Sequence, residues 1–472
     1  MKMMAKIARV FITVFVVNNA TAALDANNDP RFIVPGAVAT FETLPTRGEL
    51  TQDKTPWASS FWPHVYGGIA YRWNDFYKEK PFFASMHNRV DEINEEIEEL
   101  QKELFVQENS APRNQEIIRE VERLKAKKRQ INYEKSNYYK RDFFDITRPQ
   151  KVADVRLMSQ EDIDRLSPAE KYDVYVYLLT GKDNGFKLTK DVLGFTAPND
   201  AYWEGVCHGW SSAALEFKEP RPLSISKRGI TLNLGSSDLK ALLSYYHAAM
   251  TRNWVTAKKS NTGRVGERCS VAFSKEAWLL KDGVEYYKTI VGGKVQLNKV
   301  PQDCVATDPG AFHVVLANMI ALKNQGFVAE VVRDSEVWNQ PVYKYETKKI
   351  TETKNISKQA ARGTFKQVEV KTRMHYANDG GRMFWINDGT DDEFYAWWSQ
   401  TTGTSNYRHD SKEFHYILDL DRRGNIIGGQ WLSYERPDFL WLKKSKGFIG
   451  SGMFYGIVNY LDDLKNLVEL QD

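Results

Sequence analysis

The chain holds only three cysteines in 472 residues, Cys207, Cys269 and Cys304, too few and too far apart for a disulfide framework or a zinc-ligand spacing. It has no apolar run of the roughly 20 residues that a bilayer-spanning helix needs. Neither charge predominates: 65 Lys and Arg stand against 61 Asp and Glu, a net of +4. That balance excludes a strong electrostatic case for nucleic acid or anionic membranes as partners. There is no long internal repeat. The odd cysteine count leaves at least one thiol outside any intramolecular disulfide.

What is present begins with "MKMMAKIARVFITVFVVNNATAA". Lys2, Lys6 and Arg9 precede the short apolar core "VFITVFVV", and Ala20-Thr21-Ala22 supplies small residues for a cleavage site. The reading is a signal peptide over residues 1–22 and a secreted or periplasmic mature protein without an integral membrane segment; a retained amphipathic anchor is the alternative. Thiols in such compartments tend to be oxidised. Cys269 and Cys304, both in polar surroundings, can then bridge, which leaves Cys207 as the thiol.

The length suits two to three domains, and 13 Trp with 23 Tyr indicate an aromatic-rich core or clefts. Residues 23–84 read as ordered loops and short strands packing on a core. Over 85–140, Val90, Ile93, Ile97, Leu100 and Leu104 recur at helical spacing, and Ile117, Val121, Leu124 and Ile131 continue after a break. The first helix is acidic and the second basic, which predicts an antiparallel coiled-coil hairpin, a structural arm more readily than a partner-binding or pro-region element. Residues 141–345 are mixed α/β. Within them Ser167, Pro168 and Glu170 signal a capped helix start, Ser236 or Ser237 another, and Asp308 with Pro309 a third. Residues 346–472 read as β-rich, with the run "YKYETKKITETKNISKQAARG" as an exposed connection into them. The fold class is α+β.

The stretch "AYWEGVCHGWSSAALEF" sets Cys207 at the start of a helix. There the partial positive charge and unpaired N–H groups favour a thiolate. Gly205 and Gly209 would let a substrate backbone approach, and Trp203 and Trp210 could wall a slot for it. A small buried side chain is the plain alternative, since cysteine is among the most buried residues. The base should be one of His64, His87, His208, His247, His313, His375, His409 and His415. His313, in "TDPGAFHVVLANMIALKNQG", lies one turn into a capped helix. Asp334 and Asn339 follow on or after the next strand. Cysteine, then histidine, then a carboxylate or amide is the order that papain-like and transglutaminase-like enzymes use.

"VWNQPV" at Val337–Val342 resembles the peptide of Phytophthora-type transglutaminases that plants perceive as an elicitor. "WEGVCHGWSSAALEF", "DPGAFHVVLANMI", "FVAEVVRDSEVWNQPV", "GSSDLKALLSYY" and "GNIIGGQW" are similar to the transglutaminase elicitor family, which has bacterial members. The likeness runs from about Trp57 to Trp441 without the hairpin; the tail "YKYE" departs from the elicitor peptide. It implies a papain-like core and protein-glutamine γ-glutamyltransferase activity, with protein glutamine and lysine side chains as partners. On it Cys207 is the nucleophile, His313 the general base and acid, and Asp334 the orienting carboxylate, with Asn339 second. The Cys207 N–H joins an oxyanion hole. Calcium is the one cofactor it raises, although "NDGTDDEF" lacks an EF-hand pattern and "DLDRRGN" has Arg423 where Asp or Asn belongs. A cysteine peptidase and a non-catalytic surface protein keeping the fold are the competing readings.

Overall fold

The computed structural model describes residues 24, 28–29, 34, 36–64, 67–72, 80–106, 109–145, 147–195, 203–220, 222–252, 262–269, 271, 273–301, 304, 306–333, 336–378 and 409–443. The expected leader, Asp334, the piece "GRMFWI" and the acidic turn Asn387–Phe394 lie outside these residues.

The first helices are α1 (Lys80–Val106) and α2 (Ala111–Asp145). Ile93 of α1 clusters with Leu124 and Ile131 of α2, and Leu104 with Ile117 and Val121. Early residues of one helix thus meet late residues of the other, which makes the pair antiparallel. The apolar seam carries this packing. Across the two helices Arg113 bonds Glu103 at 2.7 Å, while Arg123–Glu120 and Lys125–Glu122 pair within α2. Pairs this exposed are screened by water and salt and add little to stability.

A helical layer follows: α3 (Gln160–Asp164), α4 (Pro168–Thr180), α5 (Lys187–Phe195), α6 (Cys207–Glu216) and α7 (Ser236–Arg252). The start of α4 is a reciprocal capping box: Ser167 accepts the Glu170 N–H and the Glu170 side chain accepts the Ser167 N–H. Glu170 is also fixed by Arg72 at 2.8 Å and Arg148 at 3.1 Å. Its carboxyl is held below the ordinary value by the two guanidiniums despite full burial. α8 (Pro309–Leu316) runs on into a π-turn, Ala317–Leu322.

The strands in chain order are β1 (Arg47–Glu49), β2 (Leu223–Lys227), β3 (Ile230–Leu234), β4 (Thr262–Gly266), β5 (Trp278–Lys281), β6 (Val284–Val291) and β7 (Lys294–Lys299). They continue with β8 (Phe327–Glu330), β9 (Asn339–Thr353), β10 (Lys366–Ala377), β11 (His409–Leu420), β12 (Ile426–Trp431) and β13 (Phe439–Lys443). β2 and β3 form a ribbon, and β5, β6 and β7 a small sheet. The main sheet is ordered β12-β11-β10-β9-β8-β13-β4, with β1 paired to β9. All of its pairings are antiparallel.

One reading of the sequence changes here. The first half of the Lys/Thr-rich run is strand, because β9 extends through Thr353 and pairs with β10 as far as Gln367↔Thr353; of the run, residues 354–363 alone belong to the connection, from β9 to β10. The charged residues of that first half are the solvent side of a long strand, and the division drawn at 345/346 falls inside that strand. The far end of the helical pair is also docked on the small sheet. Ile290 of β6 packs on its second cluster, Asn114 Nδ2 donates to Gly293 O at 3.4 Å, and Lys288 Nζ donates to Phe105 O. The Cys269–Cys304 disulfide is formed.

Candidate active site

Cys207 is the first residue of α6 and only 5% exposed. The turn before it is tied to the N-terminal segment: Val206 N–H donates to Phe61 O at 2.6 Å and His64 N–H to Glu204 O at 2.9 Å. A Cβ on Gly205 would stand 2.2 Å from Phe61 O, and one on Gly209 2.1 Å from Ser244 O in α7. Both glycines therefore serve the chain's own close packing, and the substrate approach expected of them is closed off.

The thiol meets the loop between β8 and β9. Cys207 Sγ–H donates to Val337 O at 3.6 Å, and Asn339 Nδ2–H donates to Sγ at 3.7 Å. β8 and β9 form a hairpin closed by the pair Glu330↔Asn339, and Val331 N–H donates to Trp338 O at 3.1 Å just beyond it. Trp338 meets Phe61 edge-on with ring centroids 5.1 Å apart.

His313 is elsewhere. The β10–β11 register runs without a shift from Lys366↔Leu420 to Ala377↔His409. Side chains alternate along a strand, so Thr372 and Ala377, five apart, lie on opposite faces. Ala377 packs in the cluster of Trp57, Trp210, Ala213 and Ala214, the α6 side. Thr372 bonds the Tyr416 hydroxyl at 2.7 Å, and that hydroxyl bonds His313 Nδ1 at 2.9 Å. The sheet thus lies between α6 and the His313 ring. His313 is 3% exposed, sits 5.7 Å from the Phe41 ring, and burial pushes its pKa down to about 4. It is a neutral core histidine. Of the expected set, the fold joins Cys207 with Asn339 and does not join either with His313.

The face that carries α6 has histidines of its own. His375 shares that face with Ala377, and His409 is paired to Ala377. His409 Nδ1 bonds the Tyr343 hydroxyl at 2.8 Å, and the ring faces the Pro56 backbone. Trp57, the next residue, accepts the Trp210 indole N–H at 3.2 Å and donates its own to Phe217 O at 3.0 Å. Residues 56–62 thus run alongside α6, linking His409 to the helix that Cys207 heads. Burial and the nearby His375 lower the pKa of His409, keeping its imidazole neutral.

Trp210 is fully buried, so it cannot line a substrate slot; Trp203 is half-buried in the turn ahead of Cys207. The aromatic pair nearest in the fold is Phe61, whose backbone bonds Val206, with Trp338, which lies between the two residues that bond Sγ. Trp338 stood inside the motif that carried the resemblance, whereas nothing local marked Phe61, some 140 positions from the cysteine. His409 could have been found by parity with Ala377 once the strand pairing was known.

Calcium finds no fitting donor set in "DLDRRGN". The Asp421 carboxylate accepts the Arg423 and Asn425 backbone N–H groups, each at 2.8 Å, and is committed to its own turn. Among the described residues no group of three or more His, Cys, Asp and Glu side chains is set to hold a metal ion, and no helix is long and apolar enough to cross a membrane.

The model of a family described as transglutaminase elicitor matches residues 299–471. Among curated proteins no match is found. The crystal structure of the GP42 transglutaminase from Phytophthora sojae is similar to this chain at 20% identity, over 90% of this chain and 93% of that one, with a TM-score of 0.44. The strands that hold Asn339 and His409 fall within the matched part, and over residues 299–471 the chain is a match to the transglutaminase elicitor family.

Proposed function

We propose that the protein is an exported protein-glutamine γ-glutamyltransferase in which Cys207 forms a thioester with a protein glutamine. The observation that carries this is the contact of Cys207 Sγ with Val337 and Asn339, two members of the VWNQPV motif, at the N-terminus of α6. Sγ attacks the carboxamide carbon, and the tetrahedral oxyanion is met by the Cys207 backbone N–H and the Asn339 amide. The Asn339 amide is the side-chain donor that sequence alone left unnamed. His409, oriented by Tyr343, takes the thiol proton and returns it to the departing ammonia. A lysine or small amine then attacks the thioester carbon and loses its proton to His409. An isopeptide bond results and the thiol is restored; water in place of the amine gives glutamate. Calcium enters no step.

The test is incorporation of a fluorescent primary amine into a glutamine-rich protein by the mature chain and by Cys207→Ala, with and without calcium. Label that depends on Cys207 supports acyl transfer. A folded protein that gives no label in either condition, yet cleaves peptides through Cys207, would make it a cysteine peptidase.

A further inference from the structure

The proposed mechanism gives Glu330 no task, yet this acid is 1% exposed and directly opposite Asn339 in the β8–β9 pairing. Side chains of opposed residues have Cβ atoms about 4.5–5.5 Å apart and share one face of the sheet, here the face of Cys207. Glu330 Oε1 accepts the backbone N–H of Val332 at 3.0 Å and of Trp338 at 3.2 Å. One carboxylate oxygen therefore joins the two ends of the loop, closing it beside the backbone bond from Val331 to Trp338. The loop's N-terminal arm is tied elsewhere: Arg333 Nη2 donates to Cys304 O at 2.9 Å, and Arg333 Nη1 lies 3.5 Å from Glu285. The Trp338 N–H, between Val337 and Asn339, the two residues on the thiol, is bonded by the Glu330 carboxylate, while the Trp338 carbonyl accepts the Val331 N–H.

We infer that Glu330 is a positioning residue whose carboxylate sets Val337 and Asn339 against Cys207. Burying a carboxylate is costly unless its oxygens are hydrogen-bonded, and a purely apolar residue would hold β8 in the sheet equally well. What such a residue could not do is accept two N–H groups at the loop ends. Without that acceptor Val337 O and the Asn339 amide lose their registration on Sγ. The inference rests on the Cys207 reading for its kinetic consequence but not for its chemical one, since the state of the thiol can be followed without any acyl transfer.

The experiment uses the full mature chain with its disulfide intact, so that Cys207 is the sole alkylation target. Iodoacetamide alkylation is followed against pH, together with amine incorporation, for Glu330→Ala, Glu330→Gln and Glu330→Asp. Glutamine keeps an acceptor oxygen at the same reach. The expected result is an alkylation midpoint moved by half a pH unit or more in the alanine and aspartate variants and kept in the glutamine variant. Alongside it, kcat falls about tenfold in the first two while KM for the glutamine substrate stays within about twofold. Should the alanine variant not fold, the aspartate variant, whose carboxylate is drawn back by one methylene, decides alone. Unchanged midpoint and kcat in a folded alanine or aspartate variant overturn the inference. Loss in the glutamine variant equal to that in alanine also overturns it. A wild-type chain that transfers no acyl group would defeat the proposed function and leave the alkylation comparison standing.

Discussion

Helices α6 and α8 both begin beside a residue that chemistry could use, and they differ in what fills their first turn. α8 is closed by its own Asp308, whose carboxylate accepts the Gly310 and Ala311 N–H groups. At the head of α6 the N-cap is Val206, which supplies no side-chain hydrogen bond. A helix start leaves backbone N–H groups without intrahelical partners, and an acidic cap consumes them. Without a side-chain cap, the positive end of the helix dipole faces whatever anion stands there, here the Cys207 sulfur or an oxyanion bonded to it. The self-capped helix is sealed into the core, and the helix without a side-chain cap suits the thiolate proposed for Cys207. His313 follows from that: it extends one turn into a sealed helix and is held by Tyr416 on the far side of the sheet.

The comparison can be broken by substitution. Cys207→Ala should abolish amine incorporation, a loss of at least about a thousandfold, with thermal stability kept; residual turnover above a hundredth of wild type would move the nucleophile elsewhere. Asn339→Ala removes a donor to the oxyanion and should lower kcat by about 10²–10³, read in the same assay. Full activity in that variant would separate Asn339 from the chemistry. Gly209→Ala forces a Cβ to within 2.1 Å of Ser244 O, which should cost about 3 kcal/mol or more, in the range of overpacking, seen as a fall in urea midpoint.

The smallest effect is on the α8 side and has a defined pH window. His313 titrates near 4 in the folded chain and near 6.5 when unfolded. With the folded value depressed, the unfolded chain binds more protons below 6.5. Stability is therefore full above that pH and declines as pH falls through about 4, by up to roughly 3 kcal/mol. His313→Gln should flatten this part of the stability curve, measured by urea unfolding between pH 7 and 4. A variant curve as steep as wild type would assign the acid sensitivity to other groups.

Much of the local structure was legible in the sequence because its signals are local. Ser167 with Glu170, and Asp308 with Pro309, mark helix starts by side chains within three residues of the N–H groups they bond. The turn at Arg422–Asn425 and the alternation of Lys366–Ala377 are of the same kind. The site was half legible. Cys207 and Asn339 could be singled out from helix chemistry and motif, yet which face of the sheet His313 would occupy depends on the pairing of strands more than fifty residues further along. The order cysteine, histidine, amide was met by a histidine on the far side of the sheet from Cys207 because order along the chain carries no handedness about a sheet. Glycines were misread for a related reason. Gly205 and Gly209 indeed mark close approach of backbone, but the backbone that approaches is that of Phe61 and of α7.

The most direct measurement is amine incorporation by His409→Gln beside His313→Gln, each checked for folding at neutral pH. The account predicts that His409→Gln loses about 10²–10⁴ of the rate, the range of a general base, while His313→Gln stays within about threefold of wild type. The reverse pattern, with His313→Gln inactive and folded and His409→Gln active, would contradict the placement of the chemistry on the α6 face of the sheet.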